Sequence, residues 1–586
     1  MKKTILFLFA IITYSASANA QSIAGNNLDI NNIKAGIYAD GGLFWNNTNS
    51  VFEVPKGSGK LTIFASGLWI GGYDSGGQLH LAGQTYRQSG IDFFPGPIDT
   101  TDTYGTAYNT TYDRVWKINK CDIETYENWF MTGGPPPNTY IDSAAMETIT
   151  NWPAFNMNGQ PLAPFVDVNG DGVYDPIGSG DYPLIKGDQA IFFVYNDARG
   201  THTETGGLPL GIEIQGMAYA YSCSNDSALY NTIFTNYKII NKSGNRIDSA
   251  FIGNFTDTDI GWYNDDFIGC DVKRGAYYGY NGAAIDGTGQ ASAYGNNPPA
   301  QAVVFLKGPY ADQNGLDDSA YTTPNGTGYG DGITDNERLG MSRFMYYNND
   351  ANPVNGNPGV NSGGSIDDSY QYISGKWKNG TRWTYGGGGT AGTIQCNYMS
   401  PGISDPDGYG VGGNSINPIV MPNWDETSSN NVPGDRRGVG SYGPFTFKPH
   451  TTQEIDFAYV YGRATSGGNL ASVTVMKNRI DSVRQKFNTI ITGCGCSTTT
   501  GINTVVINNK FVIYPNPVSD NITVDYKPES KNVSIQIYDA TGQLVKQVKT
   551  NFQSIQTISV NDLSNGLYLL NLQDGENIIS KKFLKE

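Results

Sequence analysis

Short runs of strand-like character recur along most of the chain. Apolar and polar residues alternate in 455–461 and 533–537, and further strand-like apolar runs lie at 190–195, 232–240 and 249–255. A period of two residues is typical of a strand with one buried face, and a short apolar run indicates a buried strand. The pattern therefore predicts a mainly β protein.

One segment has helical rather than strand periodicity. In residues 469–490, apolar residues recur at spacings of three and four: Val473, Met476, Ile480, Val483, Phe487 and Ile490. This spacing predicts an amphipathic helix, which we expect to be the last element of the body. The preceding stretch 281–440 is rich in Gly, Asn and Pro. Such a stretch predicts long ordered loops or inserted lobes, and so a multi-lobed β-rich body.

The last eighty residues have the pattern of a separate small domain. About seven short strand-like runs in 505–586 are separated by turn signals at Asn516-Pro517, Thr541-Gly542, Asn565-Gly566 and Asp574-Gly575. Short strands at this spacing predict a small β-sandwich of immunoglobulin-like type. The Ser/Thr/Gly-rich residues 494–504 are the predicted linker to it.

A series of motifs in this domain resembles the type A C-terminal sorting domain of the type IX secretion system of Bacteroidetes. The motifs are Tyr514-Pro515-Asn516-Pro517, Ile537-Tyr538-Asp539, Leu563-Ser564-Asn565-Gly566-Leu567-Tyr568 and the final Lys581-Lys582-Phe583-Leu584-Lys585. The resemblance implies that the type IX secretion machinery recognises 505–586 and carries the protein across the outer membrane. It also implies removal of the tail, followed by release or by attachment to surface polysaccharide, and no catalytic role for this domain.

The amino terminus has the pattern of a secretory signal peptide in residues 1–20. Lys2 and Lys3 precede a short apolar run at 5–12, and Ala18-Asn19-Ala20 gives an A-x-A cleavage site before Gln21. The apolar run is too short to cross a bilayer. We therefore expect a mature body at 21–493, no transmembrane segment in the mature chain, and a secreted or outer-surface location.

The composition fits an exported, loop-rich β protein. The chain has 586 residues, a net charge of −16, 74 Gly and 38 Tyr. Lysines and acids balance within 505–586, so the acidic excess lies in the body. An acidic body repels nucleic acid and anionic membrane surfaces, so no nucleic-acid partner is expected.

The six cysteines allow up to three disulfides in an oxidising compartment. Fifteen pairings are possible. Cys494 and Cys496 are too near each other in sequence to pair easily. A zinc site is disfavoured because the three histidines have no ligand spacing to the thiols. The candidates are Cys121, Cys223, Cys270, Cys396, Cys494 and Cys496.

The clearest chemical motif is a predicted calcium loop at 167–175. Carboxylates and an amide at alternate positions can converge on one hard cation, and a glycine after the third ligand permits the sharp turn. Position twelve is Gly178 instead of the Glu of an EF-hand, so the motif looks closer to thrombospondin-type or dockerin-type loops. An ordinary Asx-rich turn is the alternative. The predicted ligands of this structural Ca²⁺ are Asp167, Asn169, Asp171, Val173 and Asp175.

Two further acidic groups have weaker patterns. Asp331, Asp335 and Glu337 form a second candidate calcium loop, with Asp312, Asn314 and Asp317 upstream. A third cluster surrounds Trp262-Tyr263 and suits a metal site, a sugar cleft or solvated loops equally well. Its members are Asp257, Asp259, Asp265, Asp266 and Asp271.

No catalytic signature is present, because the chain contains neither a G-x-S-x-G elbow nor an H-E-x-x-H helix. Segments such as 187–190 and 202–207 resemble a group of large uncharacterised Bacteroidetes secreted proteins, which implies no activity. We therefore predict no catalytic or organic cofactor-binding residues. The leading hypothesis is a non-enzymatic adhesion or glycan-binding protein with structural calcium. A secreted polysaccharide hydrolase and a structural surface-layer component are the alternatives.

Overall fold

The chain divides after Cys494 into two compact units. The computed structural model describes residues 23–586 apart from 88–89, 100–103, 133–140, 351, 353, 359–365, 391, 488, 490–492, 496–510, 527–532, 540–542, 551–554 and 575–576. The predicted signal peptide with Ala20 and Gln21, Cys496, most of the linker and residues 505–510 lie outside this described part.

Two antiparallel sheets form the framework of the first unit, and the prediction of a mainly β protein is confirmed. One has nine strands in the order β14-β15-β18-β21-β12-β11-β10-β6, with β7 also paired to β10, and the other has five in the order β19-β20-β13-β4-β5. The strands are β1 (Gly25–Leu28), β2 (Lys34–Tyr38), β3 (Phe52–Glu53), β4 (Ala65–Tyr73), β5 (Leu79–Gly83), β6 (Phe94–Pro95), β7 (Trp116–Asn119), β8 (Phe165–Val166), β9 (Tyr182–Pro183), β10 (Gln189–Asn196), β11 (Ile212–Ala220), β12 (Thr232–Asn241), β13 (Ile247–Thr258), β14 (Asp266–Asp271), β15 (Ala276–Asn281), β16 (Ile285–Asp286), β17 (Gly295–Asn296), β18 (Ala300–Lys307), β19 (Arg343–Asn348), β20 (Arg436–Phe447) and β21 (Thr452–Gly462).

The nine-stranded sheet is buried on both faces. Along β10, Ile191 and Phe193 belong to one hydrophobic cluster, and Phe192 and Val194 belong to another. Successive side chains of a strand point to opposite faces, so an unbroken apolar strand needs cover on both sides. The five-stranded sheet covers one face, and helices cover the other.

Polar contacts link the two sheets across their shared core. The hydroxyl of Tyr459 on β21 accepts a hydrogen bond from Asn254 Nδ2 on β13 at 2.9 Å. Tyr277 on β15 donates to Asn254 Oδ1 at 2.8 Å. All three side chains are buried, so each polar group in this interior has to find a partner within the protein.

Helices cover the outer face of the nine-stranded sheet and one side of the five-stranded sheet. Met476, Ile480 and Val483 are fully buried in the cluster that contains Val304 and Val460 of that larger sheet. The helices are α1 (Thr106–Tyr112), α2 (Lys120–Thr132), α3 (Ser143–Thr150), α4 (Asp368–Ser374) and α5 (Gly468–Phe487).

The described body residues form one compact unit, where the sequence predicted several lobes. The reason is that the Gly- and Asn-rich stretch 281–440 contributes β18 to the nine-stranded sheet and β19 to the five-stranded sheet. The aromatic residues of the body also lie mostly inside. Trp69, Trp377 and Trp383 are among the largest fully buried side chains.

The second unit is a pair of small antiparallel sheets with their own core. One has the order β22-β23-β26 and the other β25-β24-β27-β28. Ile522, Ile535 and Leu570 are completely buried in its cluster. Its strands are β22 (Phe511–Tyr514), β23 (Asn521–Tyr526), β24 (Val533–Asp539), β25 (Leu544–Thr550), β26 (Ile555–Ser559), β27 (Gly566–Asp574) and β28 (Asn577–Lys585).

The cysteines do not form the full set of bridges that their even number allows. Cys223 is bonded to Cys494 across a sequence separation of 271, and Cys121 is also disulfide-bonded. Cys270 and Cys396 are free and buried, so these two candidates are corrected to thiols. Burial raises the pKa of both thiols, which keeps them protonated.

Opening the bridge between Cys223 and Cys494 should destabilise the body. A disulfide that closes a long loop limits the unfolded chain, which is typically worth about 2–5 kcal/mol. We expect a double Cys223→Ala, Cys494→Ala variant to lower the thermal unfolding midpoint clearly more than Cys270→Ala, which opens no loop. Circular dichroism melting measures both, and an equal effect of the two variants would contradict this assignment.

Candidate functional site

A row of polar side chains crosses the five-stranded sheet near one end. In the strand register, Asp257 on β13 lies opposite Arg437 on β20, and Arg437 lies opposite Tyr347 on β19. Directly opposed residues in a sheet point to the same face. The three side chains therefore stand side by side.

This row lies on the face of the sheet that points away from the nine-stranded sheet. Asn254, two residues before Thr256 on β13, faces the inter-sheet core, so Phe255 and Asp257 face outward. Trp69 on β4 stacks on Phe255 with ring centroids 5.3 Å apart. The aromatic pair lies beside the charged row.

Loops close over this outer face and leave a cavity of about 480 Å³. The volume lies in the range of small-molecule sites, which combine apolar walls with a few polar groups. Its side chains include aromatic rings, carboxylates, amides and one guanidinium. They are Phe64, Trp69, Tyr86, Tyr263, Tyr347, Glu204, Asp257, Asp259, Asp368, Asp435, Asn349, Asn357 and Arg437.

Arg437 connects three groups of the cavity wall. Its guanidinium lies 3.2 Å from Asp257 Oδ2, pairs with Asp435, and donates through Nε to the hydroxyl of Tyr86 at 2.8 Å. Tyr86 in turn donates to Asp257 Oδ2 at 2.6 Å. Asn349 holds the second oxygen of Asp435 at 3.0 Å. The arrangement is rigid because each member fixes another.

Three carboxylates meet beside this arginine. Asp257, Asp259 and Asp435 each offer an oxygen, and these oxygens lie within 4.8 Å of one another. Asp257 is 2 % exposed, and its Oδ1 has no hydrogen-bond partner. Elsewhere in the described residues such a group of three occurs at Asp188 with Cys223 and Cys494, where the thiols are used in the disulfide.

A fourth acidic side chain, Glu204, comes from a loop that Asp92 holds in place. The carboxylate of Asp92 accepts hydrogen bonds from the backbone of Glu204 at 2.9 Å and from the hydroxyl of Thr205 at 2.6 Å. His202, at the start of this loop, is buried between the carbonyls of Leu81 and Asp197. Glu204 itself accepts from Thr85 through one oxygen and leaves Oε2 unpartnered.

Burial shifts the protonation of these acids. It raises the pKa of Glu204 to about 7, with a smaller contribution from the charge of Asp92. Burial likewise raises the pKa of Asp257 to about 6, against the opposing effect of Arg437. The pKa of Asp259 is raised by burial and by the neighbouring charges of Asp257 and Asp435. Such perturbed acids in a cavity are typical of binding or catalytic sites.

The first predicted calcium loop folds around its own backbone. Asp167 accepts hydrogen bonds from the N–H groups of Gly170 and Gly172, each at 2.8 Å. Asp171 accepts from the Val173 N–H at 2.8 Å, and the side chains of Asn169 and Asp171 bond each other at 2.9 Å. The positive φ angles of both glycines allow this tight turn.

A residue outside the predicted ligand set closes that loop. Asp181 is completely buried and accepts hydrogen bonds from the N–H groups of Val168 and Asp175, both at 2.8 Å. The predicted ligand Asp175 accepts from the Gly178 N–H at 2.7 Å. Asp181 therefore joins the two ends of the loop.

The second predicted loop has a similar clamp built from two segments. Asp317 accepts from the N–H groups of Gly330 and Gly332, each at 2.7 Å. Asp335 accepts from the Asn314 and Gly315 N–H groups at 2.9 Å. Two other members bind neighbouring backbone: Asp331 accepts from Ile333 N–H at 2.9 Å and Glu337 from Asp318 N–H at 2.6 Å.

The third predicted cluster divides into two groups. Asp257 and Asp259 line the cavity together with Tyr263. Asp265, Asp266 and Asp271 instead stabilise loops: they bind Asn281, the Ile260 N–H, and Arg274 with Lys477, respectively. Sequence analysis did not identify Tyr86, Glu204, Asp435 or Arg437, because these residues meet only through strand pairing and loop closure.

The raised pKa of Glu204 predicts a pH dependence of stability. A folded state that binds a proton more tightly than the unfolded chain loses stability as the pH rises from about 4.5 to about 7. The charged groups that influence Glu204 are Asp92, which raises its pKa, and Arg87, which lowers it. Glu204→Gln should make this loss smaller.

Thermal unfolding midpoints at pH 4.5, 6 and 7.5 measure the effect. Glu147 is exposed, so Glu147→Gln is the matched control. Its unfolding midpoint should depend on pH as that of the wild type does. If the unfolding midpoint of Glu204→Gln depends on pH as strongly as that of the wild type, the pKa of Glu204 is not raised by folding.

Comparison with known proteins gives one family match and several distant structural likenesses. No curated protein matches the chain. Among solved structures, a DUF3244-family protein from Bacteroides vulgatus with an immunoglobulin-like β-sandwich is 21% identical over 13% of this chain and 85% of its own, with a TM-score of 0.12.

Two other structures are similar over more of the chain. A polysaccharide lyase is 7% identical over 64% of this chain and 34% of its own (TM-score 0.17). The BSP domain of a biofilm-associated protein is 9% identical over 68% of this chain and 59% of its own (TM-score 0.12). Scores this low carry no functional argument.

The family match lies in the second unit. Residues 512–586 match the secretion system C-terminal sorting domain. Among the described residues, no helix is both long and apolar enough to span a membrane. Residues 512–586 are therefore a type IX secretion C-terminal sorting domain, which directs the chain to the cell surface or beyond.

Proposed function

We propose that the body is a glycan-binding module that acts outside the cell, with its binding site in the cavity around Arg437. The observation that supports this most is the combination of aromatic rings and hydrogen-bonding groups in one cavity of about 480 Å³. Sugars have apolar C–H faces that pack on rings and hydroxyl edges that bind carboxylates and amides. Both surfaces are available here.

Among the aromatic rings of the cavity, Tyr263 is the best placed to contact a glycan at the entrance. It lines the cavity and is 48 % exposed, while Trp69 and Tyr347 are buried deeper in the wall. Asn349 and Asn357 also line the cavity and hydrogen-bond each other at 2.6 Å, and the side-chain oxygen of Asn357 can accept from a sugar hydroxyl. A partly exposed ring above a buried polar floor suits the end or edge of an extended glycan.

The charge of the cavity favours neutral glycans. Its wall includes five acidic side chains and a single arginine, which already pairs with two of the acids. A cavity with this excess of negative charge repels uronate or sulfated polymers. We therefore expect neutral or amino-substituted polysaccharides to bind more tightly than anionic ones.

A secreted hydrolase is the second candidate. A glycosidase needs at least one carboxylic acid with a raised pKa beside an ionised carboxylate, and Asp259 beside Asp257 has this character. Their oxygens lie within 4.8 Å of one another, which is too close for the attacking water of an inverting enzyme (roughly 6.5–9.5 Å) but near the separation of about 5–5.5 Å in a retaining enzyme. The spacing therefore argues against the inverting mechanism alone, and a sugar-release assay has to separate binding from hydrolysis.

We also propose structural calcium in the two loops at 167–175 and 331–337. Both loops supply carboxylate and amide oxygens, which are the ligands that a hard cation such as calcium prefers. In each loop a carboxylate, Asp167 or Asp317, spans two glycine N–H groups. This clamp gives the backbone of both loops a fixed shape.

Removing the exposed ring should weaken glycan retention. Tyr263→Ala deletes a stacking surface worth about 0.5–1.5 kcal/mol, so we expect about a 2- to 12-fold loss of affinity for the retained neutral polysaccharide. Tyr321→Ala removes a tyrosine of similar exposure (40 %) outside the cavity and is the control. Pull-down on insoluble polysaccharides with a parallel assay of sugar release measures both properties.

The outcomes separate the candidate functions. Retention without sugar release, lost in Tyr263→Ala alone, supports a binding module. Sugar release that depends on Asp259 would favour the hydrolase. If neither retention nor release occurs, the glycan proposal fails and a structural surface-layer role becomes the better explanation.

Calcium in the first loop should raise thermal stability. We expect added calcium to raise the wild-type melting midpoint, because a ligand that binds only the folded state stabilises it. Asp167→Asn with Asp171→Asn should reduce this rise, and Asp142→Asn, an exposed aspartate outside both loops, should not. An unchanged calcium response in the loop variant would contradict the assignment.

A further inference from the structure

We infer that Asp257, Asp259 and Asp435 form a calcium site inside the glycan cavity, distinct from the two loop sites. The inference rests on the proposed function for its biological use, but the site itself is argued from the geometry of the three acids. Their oxygens lie within 4.8 Å of one another. Two oxygens on opposite sides of one calcium ion are about 4.6–5.2 Å apart, so all three can bind one ion together.

An unpartnered buried oxygen points to a missing ligand. Asp257 is 2 % exposed, its Oδ2 is bound by Tyr86 and Arg437, and its Oδ1 has no partner. A buried carboxylate oxygen without a partner is costly. In the described part of the chain, the carboxylate of Asp259 also has no hydrogen-bond or ion-pair partner. Two neighbouring acids of the cluster thus each have an oxygen without a partner in the protein.

The formal charge of the acid cluster equals the charge that one divalent cation neutralises. Three carboxylates and the guanidinium of Arg437 sum to a formal charge of −2 when all are ionised. Arg437 pairs with Asp257 and Asp435 and leaves the charge of Asp259 without a counter-ion in the described residues. Calcium would balance this charge and leave Arg437 in its present position.

The donor set favours calcium over other metals. All three donors are oxygens, and no histidine or cysteine is among the residues that line the cavity. Zinc and copper prefer nitrogen and sulfur ligands, whereas calcium takes six to eight oxygens. Magnesium gives up its water reluctantly and demands tighter geometry. The open cavity beside the acids leaves coordination positions for water or for adjacent sugar hydroxyls.

The test titrates calcium into the purified, chelator-treated full-length protein without any glycan. Isothermal titration calorimetry counts the sites, and terbium luminescence excited through tyrosine and tryptophan reports an ion near the aromatic wall. Asp259→Asn is the main variant, because its side chain has no partner whose loss would unfold the protein. Asp257→Asn is the second variant, and Asp350→Asn, an exposed aspartate, controls for the change in charge.

We expect Asp259→Asn to lose one calcium site, seen as at least a tenfold weaker affinity at that site. Asp350→Asn should bind as the wild type does. A variant with Asp167→Asn and Asp171→Asn should keep the cavity site and its terbium signal.

Equal calcium binding by wild type and Asp259→Asn would overturn the inference, as would magnesium binding at the site as tightly as calcium. Since no glycan is present, either result leaves the glycan proposal intact. That proposal is tested separately by retention in Tyr263→Ala.

Discussion

The pairing of Asp257 with Arg437 across neighbouring strands is the interaction on which the candidate site depends. The two side chains lie 3.2 Å apart on the outer face of the five-stranded sheet, and both are almost completely buried. Breaking such a pair by removing one partner leaves an uncompensated buried charge, which is strongly destabilising. Because Arg437 also holds Tyr86 and Asp435, the pair fixes the geometry of the whole cavity wall.

The fold supplies the rigid support for this pair. The inner face of the five-stranded sheet is occupied by its contacts with the nine-stranded sheet, through Asn254 and Tyr459 among others. The outer face therefore carries the site, with α4 and several loops around it. The Asp92 carboxylate anchors one of these loops and thereby places Glu204 in the wall. Structure and site share the same strands, so the site is preorganised before any ligand arrives.

Local patterns in the sequence predicted the local features. Alternation in 533–537 and 455–461 predicted strands that the structure contains, and the motifs of the last eighty residues predicted the sorting domain that the family match confirms. The acid cluster near Trp262 identified Asp257 and Asp259. Its other partners could not be predicted, because Tyr86 and Arg437 are 351 residues apart in sequence and meet only through strand pairing and loop closure. The same holds for Cys223 and Cys494, whose pairing depends on the final position of α5.

The most direct test of the account is a crystal structure of the protein grown with calcium and a neutral oligosaccharide that it retains. The account predicts sugar density in the cavity against Tyr263, with an ion bound by Asp257, Asp259 and Asp435. Sugar density elsewhere on the body, with the cavity holding only water and Arg437 still paired to Asp257, would contradict it.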